Sequence, residues 1–332
     1  MINIVQIGLG PLGQKVARYA MERGTIKIVG AVDPASDKAG QNLGALCGIK
    51  KRTDVVVYSN LNAAMKGVKA SVAVLTTVSS LKRLEPQVRE LSKAGLHIVS
   101  TCEELAFPWK TQPQAAKRID AICKQHGVAC VGTGVNPGFL MDFFPCIMTA
   151  VCQRVDRIRI SRIQDAAARR IPFQQKIGAG LTLAEFKAKV AAGTLRHVGL
   201  TESMHMIARH LGWKLDRTTE SLNPVIANRK IRSGHKPIMS GQACGVEQIG
   251  RAMCKGREII KLHFCAAVGK GKSFDRVEII GEPSFTTIIP GGVNGDIATC
   301  AITINAIRSI VKAAPGLRTM IDLPPVGFTA AF

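Results

Sequence analysis

The chain has 332 residues, of which 46% are apolar and 5% aromatic, and it carries a formal net charge of +22. That length supports two domains with separate cores, and the absence of any apolar run near the roughly 18 residues a bilayer requires excludes a membrane-spanning helix. The basic excess is spread over both halves without a long basic run or an interleaved aromatic platform. It is read as a solvated surface that attracts anionic cofactors, and nucleic acid is not an expected partner.

The first 33 residues are the most specific. An apolar strand, Ile2 to Ile7, runs into Gly8-Leu9-Gly10-Pro11-Leu12-Gly13, then an amphipathic helix, then a second strand that ends at Asp33. A GxGxxG string alone is weak evidence, but a preceding strand, a following helix and an acidic residue at this distance make it a dinucleotide site. Gly8 permits the tight turn, Gly10 lets backbone amides approach a pyrophosphate, and Gly13 lets helix and strand pack closely. Pro11 and Leu12 complete the loop. Asp33 is placed to hold the adenosine ribose hydroxyls, which favours NAD because a carboxylate there repels a 2′-phosphate. Lys38 and the basic surface leave NADP open.

Further strands are predicted at 26–32, 55–58, 71–76, 97–101 and 128–132, with helices near 11–23, 83–94 and 112–126. Strands alternating with helices predict a doubly wound parallel Rossmann sheet over residues 1–145. From about residue 154 the pattern becomes alternating strands, at 157–160, 260–264, 277–279 and 285–289. These predict a second α+β domain, residues 146–309, on a mostly antiparallel sheet. Thr182-Leu183-Ala184-Glu185 reads as a capping box opening one helix, a second is expected near 202–211, and a last apolar helix near 295–313. The tail from about 310 is expected to return to the first domain. The first strand starts at residue 2, leaving no room for a signal peptide, so a cytoplasmic protein is expected. The ten cysteines show no CxxC pair and no zinc spacing, and are read as reduced, mostly buried thiols. His205 and His210 lie five apart, off a common helix face, and no metal is expected.

In an open α/β sheet, ligands bind beyond the carboxyl ends of the strands. Three loops stand there: Thr76-Thr77-Val78-Ser79, whose small hydroxyl residues can line a nicotinamide ribose; Thr101-Cys102-Glu103-Glu104-Leu105; and Gly134-Val135-Asn136-Pro137-Gly138-Phe139. A carboxylate near the nicotinamide could take a proton from an amine and stabilise the iminium. The rival reading of Glu103 and Glu104 is structural, as carboxylates placed at a helix N-terminus. Adjacent residues point differently, so one of the two faces the cofactor while the other caps a helix.

These loops, with Pro108-Trp109, Arg169-Arg170 to Lys176-Ile177-Gly178-Ala179-Gly180, and Arg196-His197-Val198-Gly199-Leu200 with Glu202-Ser203, resemble the 2,4-diaminopentanoate dehydrogenases and related native amine dehydrogenases. That group shares its fold with dihydrodipicolinate reductase. The resemblance implies NAD(P)-dependent oxidative deamination of a primary amine, or reductive amination of a carbonyl with ammonia. It places the catalytic glutamate on the Glu103–Glu104 pair, with Glu104 preferred. It also places Asn136 and Phe139 beside the nicotinamide and substrate, and brings Arg162, Gln164, Arg169 and His197 from the second domain. The paired-histidine helix of the dihydrodipicolinate reductases is missing, which argues against their reaction.

Arginines are dense over 154–176, and Arg169 or Arg170 could grip a substrate carboxylate bidentately, while most of the others are read as surface ends of a strand. A diamino acid such as 2,4-diaminopentanoate would need such a partner; an alkyl amine would not. A lone His197 is more often a structural hydrogen-bonder than a catalyst. An exposed antiparallel sheet predicts a homodimer. The competing class is a non-catalytic dinucleotide-sensing or nucleic-acid-binding protein, favoured by the charge and opposed by the absence of a helix-turn-helix pattern or basic tail.

Overall fold

The structure is a computed structural model that describes residues 1–49, 53–169, 171–195 and 198–330. The chain divides into two compact units, Met1–Phe139 with Asn294–Phe332, and Leu140–Val293. No helix among the described residues is long and apolar enough to cross a membrane.

In chain order the first unit contains β1 (Ile2–Ile7), α1 (Pro11–Met21), β2 (Ile26–Val32), α2 (Leu43–Leu46), β3 (Val57–Tyr58), α3 (Leu61–Ala64), β4 (Val72–Leu75), α4 (Leu81–Lys93), β5 (His97–Ser100), α5 (Pro108–Thr111), α6 (Pro113–Gln125) and β6 (Ala129–Gly132). The second contains α7 (Phe143–Met148), β7 (Arg154–Asp165), α8 (Ile171–Lys176), α9 (Leu183–Ala191), α10 (Leu200–His210), β8 (Arg217–Ile226), β9 (Ala243–Cys254), β10 (Arg257–Ala267), β11 (Phe274–Glu282) and β12 (Phe285–Pro290). The chain then returns to the first unit with α11 (Gly295–Ile310) and β13 (Gly316–Arg318).

The first sheet is parallel throughout, in the order β13-β6-β5-β4-β1-β2-β3. Its central strands β4, β5 and β6 are buried on both faces, as a sheet covered by crossover helices requires, and include continuous apolar runs such as Val72–Leu75. Helix α4 turns Leu81, Leu84, Val88 and Leu91 inward, at helical spacing, onto a core with Leu96, Ile98, Ile119 and Cys123. Helix α11 packs against α1 and β5. Its N-terminus is capped by Asn294, whose side-chain oxygen accepts from the amides of Asp296 and Ile297. The doubly wound Rossmann sheet expected from the sequence is therefore present, with a seventh strand, β13, that the sequence pattern did not reveal.

The second sheet runs β12-β11-β7-β10-β9-β8 and is antiparallel except where β7 and β10 pair in parallel. The mostly antiparallel α+β domain is thus also present. Helix α10 lies on β8, β9 and β10, and the alternation in β9 follows from that: Val246, Gln248, Gly250 and Ala252 are buried and Glu247, Ile249 and Arg251 are partly exposed. Gly250 is part of the packing, since a Cβ there would stand 3.1 Å from the Met204 Cε of α10. The predicted strands at 157–160, 260–264 and 277–279 are the centres of longer strands. Strands β8 and β9 had not been expected at all. Strand β8 is polar, edge-placed and carries Pro224, a residue that sheets tolerate at edges.

Candidate active site

Strands β1, β2 and β3 lie to one side of β4 and strands β5, β6 and β13 to the other, so the strand order reverses between β1 and β4. Because all the strands are parallel, the turns after β1, β2, β4, β5 and β6 emerge on one edge of the sheet. This is the switch point where such sheets bind ligands.

The turn after β1 is built on glycine for steric reasons. Gly8 has φ +86°, and a Cβ there would stand 2.9 Å from the Thr76 carbonyl oxygen; a Cβ on Gly13 would stand 2.1 Å from the Gly8 oxygen. At Gly10 a Cβ would meet nothing within 4 Å, so space is open above the loop where a phosphate must approach. Pro11 opens α1 with its φ already helical, and the first-turn amides of the helix have no intrahelical acceptor. The residues present fit a dinucleotide pyrophosphate.

Two polar side chains, the buried Gln6 and the half-buried Thr76, brace this loop. The Thr76 hydroxyl donates to the Gly8 carbonyl at 2.8 Å, and the Gln6 amide donates to Thr76 Oγ1 at 2.9 Å and to the Gly8 oxygen at 3.0 Å. Gln6 is a site residue that sequence reasoning missed, because it reads as one polar residue inside an apolar strand. Thr76, expected against the ribose, acts here on the loop, while the Thr77 hydroxyl donates to Gln87 at 2.8 Å.

Asp33 is buried at 6% exposure. Its Oδ2 accepts from the Leu9 amide at 2.7 Å and lies 3.1 Å from Lys38 Nζ, and its Oδ1 accepts from the Ala35 amide at 3.0 Å. Burial alone would raise its pKa, but the Leu9 and Ala35 amides and Lys38 outweigh burial and hold the carboxyl below the ordinary range.

After β5 the chain makes a single 3-10 turn, Glu103–Leu105. The turn lies over the end of β6 because Gly132 has no side chain; a Cβ there would be 2.6 Å from the Leu105 carbonyl carbon and 2.8 Å from the Ala106 nitrogen. Glu104 Oε2 accepts from the Leu81 amide at 2.7 Å and from the Gln112 side chain at 2.7 Å. Leu81 is the first residue of α4, whose own N-cap, Ser80, makes no side-chain cap bond. Glu104 therefore caps a helix supplied by another part of the chain, and its carboxylate is oriented by two donors. The neighbouring Cys102 is a poor nucleophile: burial, with the charges of Glu103 and Glu104 adding to it, pushes its thiol up to about 12.

After β6, Gly138 has φ +117°, and a Cβ there would stand 2.5 Å from the Gly134 nitrogen. Only glycine therefore fits where the Gly134–Phe139 turn closes, and because β6 runs parallel to β5 this turn follows it on the same edge as the glutamates. The Val135 amide donates to Thr299 Oγ1 of α11 at 3.3 Å.

The second unit holds its expected site residues in one connected cluster. Arg162, 2% exposed, pairs with Asp275 at 2.7 Å and donates to the Val293 carbonyl at 2.9 Å. The Gln164 amide donates to the same carbonyl at 3.2 Å, and Arg169 donates to Gln164 Oε1 at 3.1 Å while its guanidinium lies 4.0 Å from the Phe173 ring centroid. Burial lowers the Arg162 pKa and Asp275 opposes that fall. Asp275 also accepts from the Val293 amide at 2.7 Å. Arg162 is thus held inside the protein by Asp275 and the Val293 carbonyl, and Asp275, 113 residues away in sequence, was not foreseen. His197 and Arg170 lie outside the described residues.

Fold and loop together define a class, the nicotinamide dinucleotide-dependent dehydrogenases. Residues 139–330 match the family model of the 2,4-diaminopentanoate dehydrogenase C-terminal domain. Over 97% of its length the chain is 29% identical to a 2,4-diaminopentanoate dehydrogenase of Acetoanaerobium sticklandii, of which it covers 93%. It is 20% identical to an amine dehydrogenase of Streptomyces virginiae, over 98% of this chain and 96% of that one. A solved amine dehydrogenase structure from Mycobacterium smegmatis shares the fold with a TM-score of 0.87 at 24% identity, covering 100% of this chain and 98% of that chain. The chain belongs to the 2,4-diaminopentanoate dehydrogenase family. It is an NAD(P)-dependent oxidoreductase acting on amines.

Proposed function

We propose that the chain interconverts a primary amine and its carbonyl compound, with a carboxylate of the Glu103–Glu104 pair handling the proton on nitrogen. The observation that carries this is the placement of an oriented carboxylate, after β5, on the same sheet edge as the glycine loop after β1, two strands away in the order β5-β4-β1. NAD or NADP, held at the glycine loop, supplies the hydride acceptor for the oxidative direction. The protein's residues do the rest. The ammonium form of the substrate gives a proton to the carboxylate, which passes it to solvent, leaving the neutral amine whose carbon releases hydride to the bound dinucleotide; the carboxylate, ionised again, stabilises the resulting iminium by its charge, and water adds to the iminium carbon and expels ammonia. Glu104 is the preferred residue because Leu81 and Gln112 fix its orientation. Asn136 and Phe139 border the reacting carbon.

A diamino acid is the favoured substrate, since the family model and the Acetoanaerobium relative carry that name. Its carboxylate would pair with Arg169, and His197 is proposed as a second substrate-binding residue. Arg162 and Gln164 then act as supports, because both bind the Val293 carbonyl. Loss of turnover in Arg169→Ala confined to 2,4-diaminopentanoate, and spared with a simple alkyl amine, is the expected result. Equal loss on both would remove the carboxylate role.

The protein acts as a homodimer through the sheet face opposite α10. Glu278, Arg159, Lys261 and Arg251 stand in register across that face, and pairs at 2.7 Å (Arg276 with Glu278) and 3.1 Å (Arg251 with Glu258) offset part of its charge. The activity is tested by amine-dependent reduction of NAD and NADP. Reduction with the diamino acid supports the reading; salt-dependent retention on DNA without any such reduction would replace it with the binding-protein alternative.

A further inference from the structure

Asp33 does not present a bare carboxylate to the ribose. Of the roughly four acceptor positions on a carboxylate, three are taken, by the amides of Leu9 and Ala35 and by Lys38 Nζ. The third partner is held in place by the fold of the loop after β2. The Lys38 amide donates to the Ala35 carbonyl at 3.0 Å, the Gln41 amide to the Lys38 carbonyl at 3.0 Å, and the Gly40 amide to the Val57 carbonyl at 2.8 Å. These bonds return the Lys38 side chain toward Asp33, the residue that follows β2. Its side chain is 20% exposed and that of Asp33 is 9% exposed, so the cation, not the carboxylate, is the more accessible charge of the pair.

A free carboxylate at this position repels a 2′-phosphate, which is why Asp33 alone argues for NAD. A carboxylate neutralised by an adjacent ammonium does not. Lys38 spends one of its three donors on Asp33, and Asp33 keeps two amide donors if that contact is released. From this geometry we propose that Lys38 is the specificity-determining residue for the adenosine ribose, binding the 2′-phosphate of NADP and screening Asp33 when NAD is bound. The inference rests on the dinucleotide-dependent reading given above and adds to it the residue that sets cofactor choice. A compact ammonium serves as a point-charge phosphate partner, and arginine retains that charge with more donors.

The test is fluorescence titration of the intact protein with NADH and NADPH, without any amine, in wild type, Lys38→Met and Lys38→Arg. Expected is binding of both dinucleotides by wild type. The ratio of NADPH to NADH affinity should fall by about 10-fold or more in Lys38→Met, the scale of one hydrogen bond to a charged group, and recover in Lys38→Arg. Raising the ionic strength should weaken NADPH more than NADH in wild type, and this difference should shrink in Lys38→Met. An unchanged ratio in Lys38→Met, or a wild type that binds NADH alone, would overturn the role of Lys38 and leave the dehydrogenase reading standing. Failure of both dinucleotides to bind wild type would overturn both.

Discussion

The two units hold their functional polar groups in opposite ways. In the first unit, side chains at strand ends are tied mainly to main-chain loops: Thr76 and Gln6 to Gly8, Glu104 to Leu81, and Asp33 to Leu9 and Ala35 even though it also pairs with Lys38. In the second, charge is tied to charge, with Arg162 and Asp275 forming a buried pair across β7 and β11 that also grips both polar groups of the Val293 backbone. Loop bracing sets shape with single hydrogen bonds and leaves steric fit to glycine. A buried ion pair gains most of its importance from what its loss would leave behind, a charge without a partner in a low-dielectric interior. The first unit should therefore be sensitive to volume and the second to charge.

The largest expected effect breaks that contrast from the charged side. Arg162→Ala strands Asp275 and should lower unfolding stability by about 3–5 kcal/mol, read by urea denaturation. Replacing both partners by apolar residues, as Arg162→Met with Asp275→Leu, should recover much of the loss. A single variant as stable as wild type would show that the pair is not what organises this cluster. Volume should matter next: Gly13→Ala places a methyl 2.1 Å from the Gly8 oxygen and should cost about 1–3 kcal/mol, with a loss of NADH affinity larger than that stability change alone explains. Unaltered NADH binding in this variant would mean the loop is not the cofactor site.

The smallest effect sharpens the contrast through pH. His97 is pushed below its ordinary pKa by burial, and its Nδ1 accepts from the Ala129 amide at 3.1 Å, so the folded side chain is neutral. The unfolded chain then binds its proton more readily than the folded one. This contribution is complete above about pH 6.5 and is lost as the pH falls through the lowered folded value. Asp33, also lowered, behaves likewise below about pH 4, the ordinary aspartate range. Urea midpoints measured between pH 7.5 and 5 should fall less in His97→Asn than in wild type; parallel curves would remove His97 from the account.

What could be read directly from the sequence follows from how local each feature is. The strand, glycine loop, helix and second strand that end at Asp33 lie within 33 residues, and each step has a steric reason visible in residue type alone. The carboxylate pair was equally visible, but its geometry was not: the partners of Glu104 are Leu81, 23 residues earlier, and Gln112, 8 residues later. The capping reading is the one that Glu104's observed bond to the Leu81 amide meets, and the same residue follows β5 on the edge that carries the glycine loop. Asp275 carried no signal, because nothing in an alternating strand reports which arginine on β7 it will face. Gly132 could have been noticed as a glycine closing an apolar strand, the usual mark of another backbone in close approach. Lys38 was seen, but only as a nearby charge; its hydrogen bond to Asp33 depends on the turn that Ala35 and Lys38 make.

The central claim is that a carboxylate of the Glu103–Glu104 pair serves the carbon–nitrogen chemistry of a dinucleotide held at the Gly8–Gly13 loop. Its most direct test is turnover of a primary amine deuterated at the amine-bearing carbon, with NAD and with NADP, in wild type, Glu103→Gln and Glu104→Gln. Glutamine at 104 can still accept from Leu81, so the helix cap is largely retained while the proton acceptor is removed. The account predicts deuterium in the reduced cofactor for wild type and turnover lowered by about 100-fold or more in one of the two variants, the lower end of general acid–base contributions, with NADH affinity retained. Near wild-type turnover in both variants would contradict it.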